Sequence, residues 1–421
     1  MAPSSDADDP NDVALSNPPT EDTTATKKQS LNCSTGILTS PSSSYSIVTL
    51  TLQPPLLPTL PFELIAEILS KLPVKSLMQF QCVCKSWKSL ISDPKFAKKH
   101  LRMSTKHHHL ISTFANSALD YPLTSLFTDV TATAMQLEYP LTKQYRHCFD
   151  PIVSSCHGIL CIAIDYVSVV LWNPSISKFT RLPSLDKSLY CYGFSFGYDH
   201  SSDTYKVVAC GIVINGNVKK PVKVHTLGTN SWRTIQDFPS GFICEDSSGK
   251  FVCGTITWLG EKISTSSWHI ISLDLEKESY LEIVQPDYGG VTLTSLRIGV
   301  LRDCLCIFSR SRSDTFTGIW LMKEYGNKES WIKLFRVPDI RDLGYYPSVC
   351  ALYVSEDDQV LLEIDSQDSD YSQDDSELLD IQSKLVVYNS RDGTFEDLNI
   401  QNTNGVTGTQ VYHESLISPC F

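Results

Sequence analysis

The amino-acid sequence predicts a multidomain α + all-β protein, in which a small helical domain is followed by a six-bladed β-propeller. Two observations support this fold class. Residues 57–101 carry apolar side chains at helical spacing, whereas β-branched and aromatic runs alternate with turn residues from residue 107 onward. In addition, the second region contains a repeat of about 50 residues, which is the period of a propeller blade.

Proline and apolar residues define the helices of the first region. Pro61 suits a first helical turn, because its missing N–H removes no hydrogen bond there. Leu64, Ile68 and Leu72 recur four residues apart and form an apolar stripe. Pro73 ends this helix. Further helices are predicted over residues 74–81, around Val83, Trp87, Leu90 and Ile91, and from Asp93-Pro94 onward.

This helical segment is too small to bury its own apolar side chains. Of the 45 residues from 57 to 101, 22 are apolar when Ala and Cys are counted. A domain of this size buries only about 60% of its unfolded surface. The remaining apolar side chains either pack on the following domain or form a helix-face interface for an obligate partner, and we expect the interface.

Five hairpins recur in the second region. Each begins with an apolar strand, crosses a polar turn and then places an aromatic residue before a second strand. The intervals between these aromatics are 53, 48, 51 and 64 residues, which indicates kelch-type blades. The last interval contains an acidic insertion over residues 365–380. The aromatics are Phe179, Trp232, Tyr280, Trp331 and Phe395, and the strands upstream of the hairpins lie at 158–161, 205–208, 255–258, 304–307 and 360–363.

A sixth blade is expected to combine the two ends of the propeller. The region from 107 to 419 holds 313 residues, which is enough for six repeats of about 50. We predict its strands at 109–114, 125–128 and 135–139, with a C-terminal strand at 411–417 closing the blade. Such a closure removes the open sheet edges that template aggregation.

Composition indicates where the domains begin and end and in which cellular compartment the protein works. Residues 1–55 are rich in Ser, Thr, Asp, Asn and Pro, which predicts a disordered tail before a helical domain at 56–103 and a propeller at 107–419. The net charge of −12 argues against nucleic acid as a partner, and no apolar run is long enough to cross a membrane. The 14 cysteines without paired spacing indicate reduced thiols in a cytoplasmic or nuclear protein.

No metal or cofactor site is expected. Cys82 and Cys84 are predicted to lie on a helix, where a spacing of two points their side chains apart, and the second pair, Cys304 and Cys306, lies on a strand. Neither pair has a His at zinc-ligand spacing. The run His107–His109 lacks neighbouring Cys or carboxylate ligands and is interpreted as a solvated linker.

No catalytic constellation is expected either. Cys156 and His157 are adjacent, but adjacent residues on a strand point to opposite faces and cannot form a nucleophile–base pair. Asn173-Pro174-Ser175 is typical of a turn, and no Gly-rich loop precedes a helix. The acidic insertion is interpreted as a solvated loop, with a phosphorylated segment or a site for a basic substrate as alternatives.

The helical segment resembles the F-box family. The resemblance rests on Leu60-Pro61, Glu63-Leu64, Ile68-Leu69, Leu72-Pro73, Leu77, Val83-Cys84-Lys85, Trp87 and Leu90, and the sequences Pro-Val-Lys-Ser-Leu and Val-Cys-Lys-Ser-Trp are similar to the plant branch. It implies a three-helix F-box that binds a Skp-type adaptor and, through it, cullin and RING subunits. The adaptor-binding residues implied are Leu60, Pro61, Leu64, Ile65, Ile68, Leu69, Leu72, Pro73, Leu77, Val83, Cys84, Trp87 and Leu90.

The second region resembles the F-box-associated, kelch-like domain of plant F-box proteins. The residues that carry this resemblance are 155–161, 172–175, 194–199, 205–208 and 320–326. The two resemblances together imply a non-catalytic substrate-recognition subunit of an SCF-type ubiquitin ligase, whose propeller binds a target protein that the sequence does not identify. A ligase-independent protein- or glycan-binding propeller is the alternative. A propeller enzyme would need clustered ligands at the channel, which the sequence does not supply.

Overall fold

A computed structural model describes helices followed by six sheets. The predicted tail at 1–55 and most of the acidic insertion at 365–380 lie outside the described residues. Helices followed by a six-bladed propeller confirm the predicted fold class. The described residues are 60–114, 117–128, 134–138, 140, 152–186, 190–215, 217–244, 248–312, 315–338, 348–366, 382–398 and 406–420.

Four helices precede the propeller, and their ends follow from local chemistry. Pro61 and Pro73 are the N-caps of the first two helices and lie in extended backbone. Asp93 caps the fourth helix, and its carboxylate accepts a hydrogen bond of 2.8 Å from the Lys95 N–H. The helices are α1 (Phe62–Leu69), α2 (Val74–Phe80), α3 (Lys85–Ile91) and α4 (Pro94–Met103).

The segment between α2 and α3 differs from the prediction. Cys82 and Val83 lie in a turn, and Cys84 is the extended N-cap of α3. The prediction that the pair Cys82 and Cys84 lies on a helix is therefore wrong. The third helix begins only at Lys85, because α2 ends in hydrogen-bonded turns from the Cys82 and Val83 N–H groups to Gln79 and Phe80.

The propeller begins with β1 (His108–Phe114), β2 (Ser117–Pro122) and β3 (Met135–Leu137), and α5 (Leu123–Thr128) lies between β2 and β3. Five antiparallel blades follow in chain order. Blade 1 is β4 (Ile152–Cys156), β5 (Ile159–Ala163), β6 (Val169–Asn173) and β7 (Lys178–Arg181). Blade 2 is β8 (Tyr190–Asp199), β9 (Thr204–Asn215), β10 (Asn217–Lys219), β11 (Val222–Thr226) and β12 (Trp232–Thr234).

Blades 3 to 5 repeat this plan. Blade 3 is β13 (Phe242–Cys244), β14 (Lys250–Val252), β15 (Thr255–Lys262), β16 (Ser267–Asp274) and β17 (Tyr280–Ile283). Blade 4 is β18 (Leu293–Leu301), β19 (Cys304–Ser311), β20 (Phe316–Met322) and β21 (Trp331–Pro338). Blade 5 is β22 (Ser348–Val354), β23 (Gln359–Ser366), β24 (Gln382–Asn389) and β25 (Phe395–Asp397). The last strand, β26 (Val406–His413), returns to β1.

The repeat aromatics lie on the last strand of blades 1 to 5, which confirms the predicted period. Three of them also join neighbouring blades, and the first of these bonds runs from the Tyr280 hydroxyl to the Gln236 carbonyl, which follows blade 2, over 3.4 Å. The Trp232 indole donates a hydrogen bond of 2.6 Å to the Pro183 carbonyl, which follows blade 1. The Trp331 indole donates a hydrogen bond of 2.9 Å to the Val284 carbonyl, which follows blade 3. The aromatic position thus ties each of these blades to the chain that leaves the preceding blade.

Blade 6 combines the chain ends, as predicted, but with different strands. Its order is β26-β1-β2-β3. The segment predicted as a strand at 125–128 belongs to α5, because Pro122 ends β2 and Leu123 and Leu126 then pack at helical spacing into the core. The closing strand ends at His413 rather than at 417, because the residues that follow are held by blade 1 instead.

The contact that holds this C-terminal tail is a single buried amide. The Asn173 side chain donates hydrogen bonds to the Ser415 carbonyl (3.0 Å), the Ser415 hydroxyl (3.0 Å) and the Ile417 carbonyl (2.8 Å). Its oxygen accepts a bond of 2.9 Å from the Ser175 N–H and caps the 3₁₀ turn Pro174–Ile176. The turn chemistry seen in the sequence therefore also closes the ring.

A second closure site lies inside blade 6. His109 Nδ1 is 2.9 Å from an Asp120 carboxylate oxygen, and the Tyr412 hydroxyl donates to the other oxygen over 2.9 Å. His109 Nε2 lies 3.6 Å from Glu414. Burial alone would lower the pKa of His109, but the hydrogen bond and charge of Asp120, aided by Glu414, outweigh it and raise this pKa. The network links β1, β2 and β26, so it joins the two ends of the propeller.

We expect Asn173→Ala to lower the free energy of unfolding by about 2 kcal/mol, because three buried acceptors on the tail lose their donor. Urea denaturation followed by tryptophan fluorescence measures the change. Asn389→Ala is the matched control, since Asn389 makes only local bonds at the corresponding turn of blade 5. Equal losses in the two variants would show that the tail contacts contribute nothing.

The His109 network predicts a pH-dependent stability. Because the folded-state pKa is raised, its contribution is fully present below about pH 6.5, the ordinary pKa of histidine, and is lost as the pH rises through the folded-state value. His109→Gln should therefore destabilise the protein more at pH 6 than at pH 9 in urea titrations. His107→Gln, which changes an exposed imidazole, should show no such trend. The same loss for His109→Gln at both pH values would contradict the charged pairing.

Candidate protein-binding surface

The apolar stripe of α1 divides into two ridges with different environments. Ile65 and Leu69 form the inner ridge, in which Leu69 is buried and Ile65 is half-buried. Leu64 and Ile68 form the outer ridge, and these two side chains are 51% and 52% exposed. Since residues four apart lie on one helical face, the outer ridge is a continuous apolar surface. It is the kind of surface that a partner covers.

Exposed apolar side chains concentrate near this ridge. Of the fourteen large exposed hydrophobic residues in the described part of the chain, five fall within 24 consecutive positions. The other nine are scattered singly from Met103 to Val291, which is normal for a folded protein. We call these five residues the exposed helical set. Its members are Leu60, Phe62, Leu64, Ile68 and Val83.

The structure sorts the thirteen sequence-predicted residues by burial. Leu69 and Leu77 are fully buried, so they support the surface from beneath and cannot contact a partner. Phe62, at the start of α1, is exposed and was not among the thirteen; it stands two residues before Leu64, a spacing that does not place it on the same helical face, so the periodicity gave no signal for it. Leu60, Pro61, Leu64, Ile68, Pro73, Val83 and Cys84 are exposed, whereas Ile65, Leu72, Trp87 and Leu90 are half-buried.

Trp87 and Cys84 illustrate two different environments on this segment. The Trp87 ring packs edge-on against Phe80, with ring centroids 5.5 Å apart, so it supports the helices internally. The Cys84 thiol is fully exposed and lies 3.1 Å from the Ser86 hydroxyl. The hydrogen bond with Ser86, together with the Trp87 N–H, lowers the pKa of Cys84.

The inner ridge packs against the propeller. Leu69, Leu77 and Phe96 belong to one buried cluster with side chains of blades 1 and 2 and with the C-terminal residues Leu416 and Ile417. In addition, α2 packs on the 3₁₀ turn that Asn173 caps. The inner ridge therefore packs on the following domain, which was one of the two alternatives, whereas the outer ridge stays exposed and the partner interface expected there remains a prediction.

Ion pairs add to this contact. Lys98 of α4 pairs with Asp203 between β8 and β9, and Lys106 Nζ lies 2.6 Å from Asp303 between β18 and β19. These pairs are largely exposed and contribute little free energy individually. They do fix the direction in which α4 and the following linker cross the face of the propeller.

Three further features concern metals, membranes and catalysis. Among the described residues, no cluster of three or more His, Cys, Asp or Glu could hold a metal ion. No helix found there is long and apolar enough to cross a membrane. His157 lies in a turn rather than on a strand, and its Nδ1 pairs with the Tyr205 hydroxyl at 3.0 Å. Burial raises the pKa of the Cys156 thiol and so disfavours its thiolate.

Comparison with known proteins matches both regions to described families. Residues 57–99 match the F-box domain, and residues 121–419 match the F-box associated beta propeller domain. An F-box/kelch-repeat protein of Arabidopsis thaliana is 33% identical over 381 residues, which cover 86% of this chain and 96% of that protein. The F-box protein CPR1 of the same plant is 26% identical over 338 residues, covering 73% of this chain and 80% of the relative.

Solved structures show a more distant similarity. The oligogalacturonate lyase of Vibrio parahaemolyticus aligns with a TM-score of 0.40 and 11% identity, covering 71% of this chain and 82% of the lyase.

The division into ridges predicts that two similar substitutions lower the free energy of unfolding by very different amounts. Leu69→Ala should lower the free energy of unfolding by about 2–5 kcal/mol, because it leaves a cavity at the buried site of the inner ridge. Leu64→Ala should change it by less than about 0.5 kcal/mol, since half of this side chain already faces water. Thermal and urea unfolding of the full chain measure both values. A larger loss for Leu64→Ala would mean that the ridges are assigned to the wrong sides.

Proposed function

This chain belongs to the F-box proteins that carry an F-box-associated β-propeller domain, and from that premise we propose that it is a substrate-recognition subunit of an SCF-type (Skp–cullin–F-box) ubiquitin ligase. The observation that carries the proposal is the bare outer ridge of α1. A helix whose inner face is packed in a core, while Leu64 and Ile68 stay half exposed, is incomplete without a covering partner.

In this proposal the partner at the outer ridge is a Skp-type adaptor, which in turn brings cullin and RING subunits. The exposed helical set would enter an apolar groove or pack on apolar helices of the adaptor, as amphipathic helices do. Removing apolar surface from water contributes about 25 cal/mol for each Å². Pro61, Pro73 and Cys84 are also exposed and would border this contact.

The propeller is proposed to hold the target protein. Loops on a rigid scaffold carry binding specificity, and the blades present two faces of such loops. Because the helical unit shares a core with blades 1 and 2, adaptor and target would be held in a fixed relation. The chain would then act by proximity, raising the effective concentration of target lysines near the conjugating enzyme.

The chain itself is proposed to perform no bond chemistry. The adjacent residues Cys156 and His157 serve other purposes in this proposal. Cys156 packs in the buried cluster, and His157 forms a hydrogen bond with Tyr205. We also propose that it works in the cytoplasm or the nucleus. The exposed thiols of Cys82 and Cys84 are reduced, and such thiols are typical of those compartments.

The double variant Leu64→Asp/Ile68→Asp tests the adaptor interface. We expect it to weaken binding of a co-expressed Skp-type adaptor at least about 100-fold, because two carboxylates would be desolvated at the contact. Pull-down of the full chain and titration by isothermal calorimetry measure this. The unfolding midpoint should barely move, since both positions are already half exposed.

Ile263→Asp serves as the control for this experiment, because Ile263 is 63% exposed and lies on the propeller at the end of β15. It should bind the adaptor like the wild type. If the double variant binds the adaptor as tightly as the control does, the outer ridge is not the interface. If the wild type binds no Skp-type adaptor at all, a ligase-independent binding protein is the better description.

A further inference from the structure

A cavity of about 900 Å³ lies at the centre of the propeller, on the face that carries the helical unit. An inner strand of each of the six blades contributes to its wall, and α4 and the following linker border it. This volume is at the upper end of the range for ligand pockets in proteins. We call it the channel cavity.

The charge of the channel cavity is opposite to that of the protein. Its lining has five cationic side chains and two carboxylates, those of Asp303 and Glu356, and the carboxylates of Asp203 and Asp358 pair with two of these cations from outside the lining, which gives +5 − 4 = +1. The whole chain carries a net charge of −12. A cleft lined with one sign of charge focuses the field and attracts a ligand of the opposite sign. The five cations are Lys98, Arg102, Lys106, Lys250 and Arg302.

Three of these cations already have carboxylate partners. Lys98 pairs with Asp203, Lys106 with Asp303, and Arg302 with Asp358 at 3.7 Å. The side chains of Arg102 and Lys250 make no hydrogen bond or ion pair within the described part of the chain, although the charge of Arg102 also acts on Asp203. Arg102 comes from α4 and Lys250 from the inner strand of blade 3. An anionic ligand would supply the missing partner to both.

Neutral polar groups in the wall are also unsatisfied. The Ser154 hydroxyl and His413 Nε2 are buried, and neither has a hydrogen-bond partner among the described residues. Burial lowers the pKa of His157 to about 4 and that of His413 to about 3, so both imidazoles are neutral near pH 7 and each offers one N–H donor. A buried polar group without a partner is costly, and a bound ligand would remove that cost.

The remaining wall is apolar and indicates the size of the ligand. Leu101 of α4 faces the cavity from the helical side, and Val153, Phe251 and Val300 contribute from three inner strands. A simple inorganic anion would leave these side chains uncovered. A segment of polypeptide that carries acidic groups between apolar side chains matches both parts of the wall.

We propose that the channel cavity binds an acidic segment of the target polypeptide, with Arg102 and Lys250 pairing its negative groups. This inference rests on the proposed function, which makes a protein the ligand of the propeller. The negative groups are either Asp and Glu carboxylates or phosphates on Ser, because both are anionic hydrogen-bond acceptors. The two unpaired cations favour a ligand that carries negative charge. The apolar side chains of the wall favour a peptide over a small inorganic anion.

Fluorescence anisotropy with three labelled eight-residue peptides tests the proposal on the full chain. One peptide alternates Glu with Leu, Ser and Val, the second replaces the Glu with phosphoserine, and the third replaces it with Gln. We expect the Glu peptide, the phosphoserine peptide or both to bind, and the Gln peptide to bind at least about tenfold more weakly. Raising the salt concentration should weaken binding, since the pairing is electrostatic. Equal binding of the Gln peptide would overturn the proposal.

The double variant Arg102→Gln/Lys250→Gln should weaken binding of the acidic peptides about tenfold or more. The matched control is Lys178→Gln/Lys328→Gln, which removes the same two charges from exposed lysines outside the cavity lining. The control should bind like the wild type. If the two double variants bind equally, the effect is one of net charge and the cavity assignment is wrong.

Binding of a Skp-type adaptor, measured on the same three preparations (the wild type and the two double variants), separates this inference from the proposed function. Arg102 and Lys250 do not belong to the exposed helical set, so adaptor binding should be unchanged in every variant. Adaptor binding without any peptide binding would overturn the cavity proposal alone. Peptide binding without adaptor binding would support the cavity and overturn the ligase assignment.

Discussion

The architecture depends on the packing of the inner ridge of α1 and of Leu77 against blades 1 and 2. Burying one large aliphatic side chain contributes about 1.5–3 kcal/mol, so the buried set Leu69, Leu77, Ile91 and Phe96 outweighs the exposed ion pairs that accompany it. This packing uses one side of the helix, and by geometry it turns Leu64 and Ile68 outward. The exposed surface is thus a consequence of the buried one.

Ring closure is the second constraint, because the helical unit packs against the place where the ring is closed. Asn173 holds the tail through Ser415 and Ile417, and Leu416 and Ile417 belong to the same buried cluster as Leu69. Contacts between His109 and Tyr412 or between Asn173 and Ser415 join residues that are hundreds of positions apart in sequence. Contacts of such sequence separation form late and slowly. The surface on which the helices pack is therefore complete only after β26 has paired with β1.

Much of this fold could be predicted from local patterns, and the failures have physical causes. The aromatic on the last strand of blades 1 to 5 gave the period, because the hairpin that carries it recurs in each of these blades. Blade 6 was predicted with a wrong strand at 125–128, since Leu123 and Leu126 form too short an apolar pattern to separate helix from strand. Helical spacing predicted the stripe of α1 but could not distinguish Leu64 from Leu69. Which ridge is covered depends on a domain that lies about a hundred residues further along.

The channel cavity could not be predicted from the sequence for the same reason, because the residues that line it are far apart in the chain. Its cations come from α4, the linker, an inner strand of blade 3 and a turn of blade 4, so no local run of basic residues marks it. The helix α4 connects this cavity with the helical unit that carries the outer ridge of α1. Phe96 and Ala97 of α4 are buried in the shared core, and Arg102, one and a half turns further along the helix, lines the cavity. A target segment bound by Arg102 would therefore touch a helix that is packed with α1 into one rigid unit. The distance from target to adaptor would then be fixed by side-chain packing rather than by a flexible linker, which is what catalysis by proximity requires.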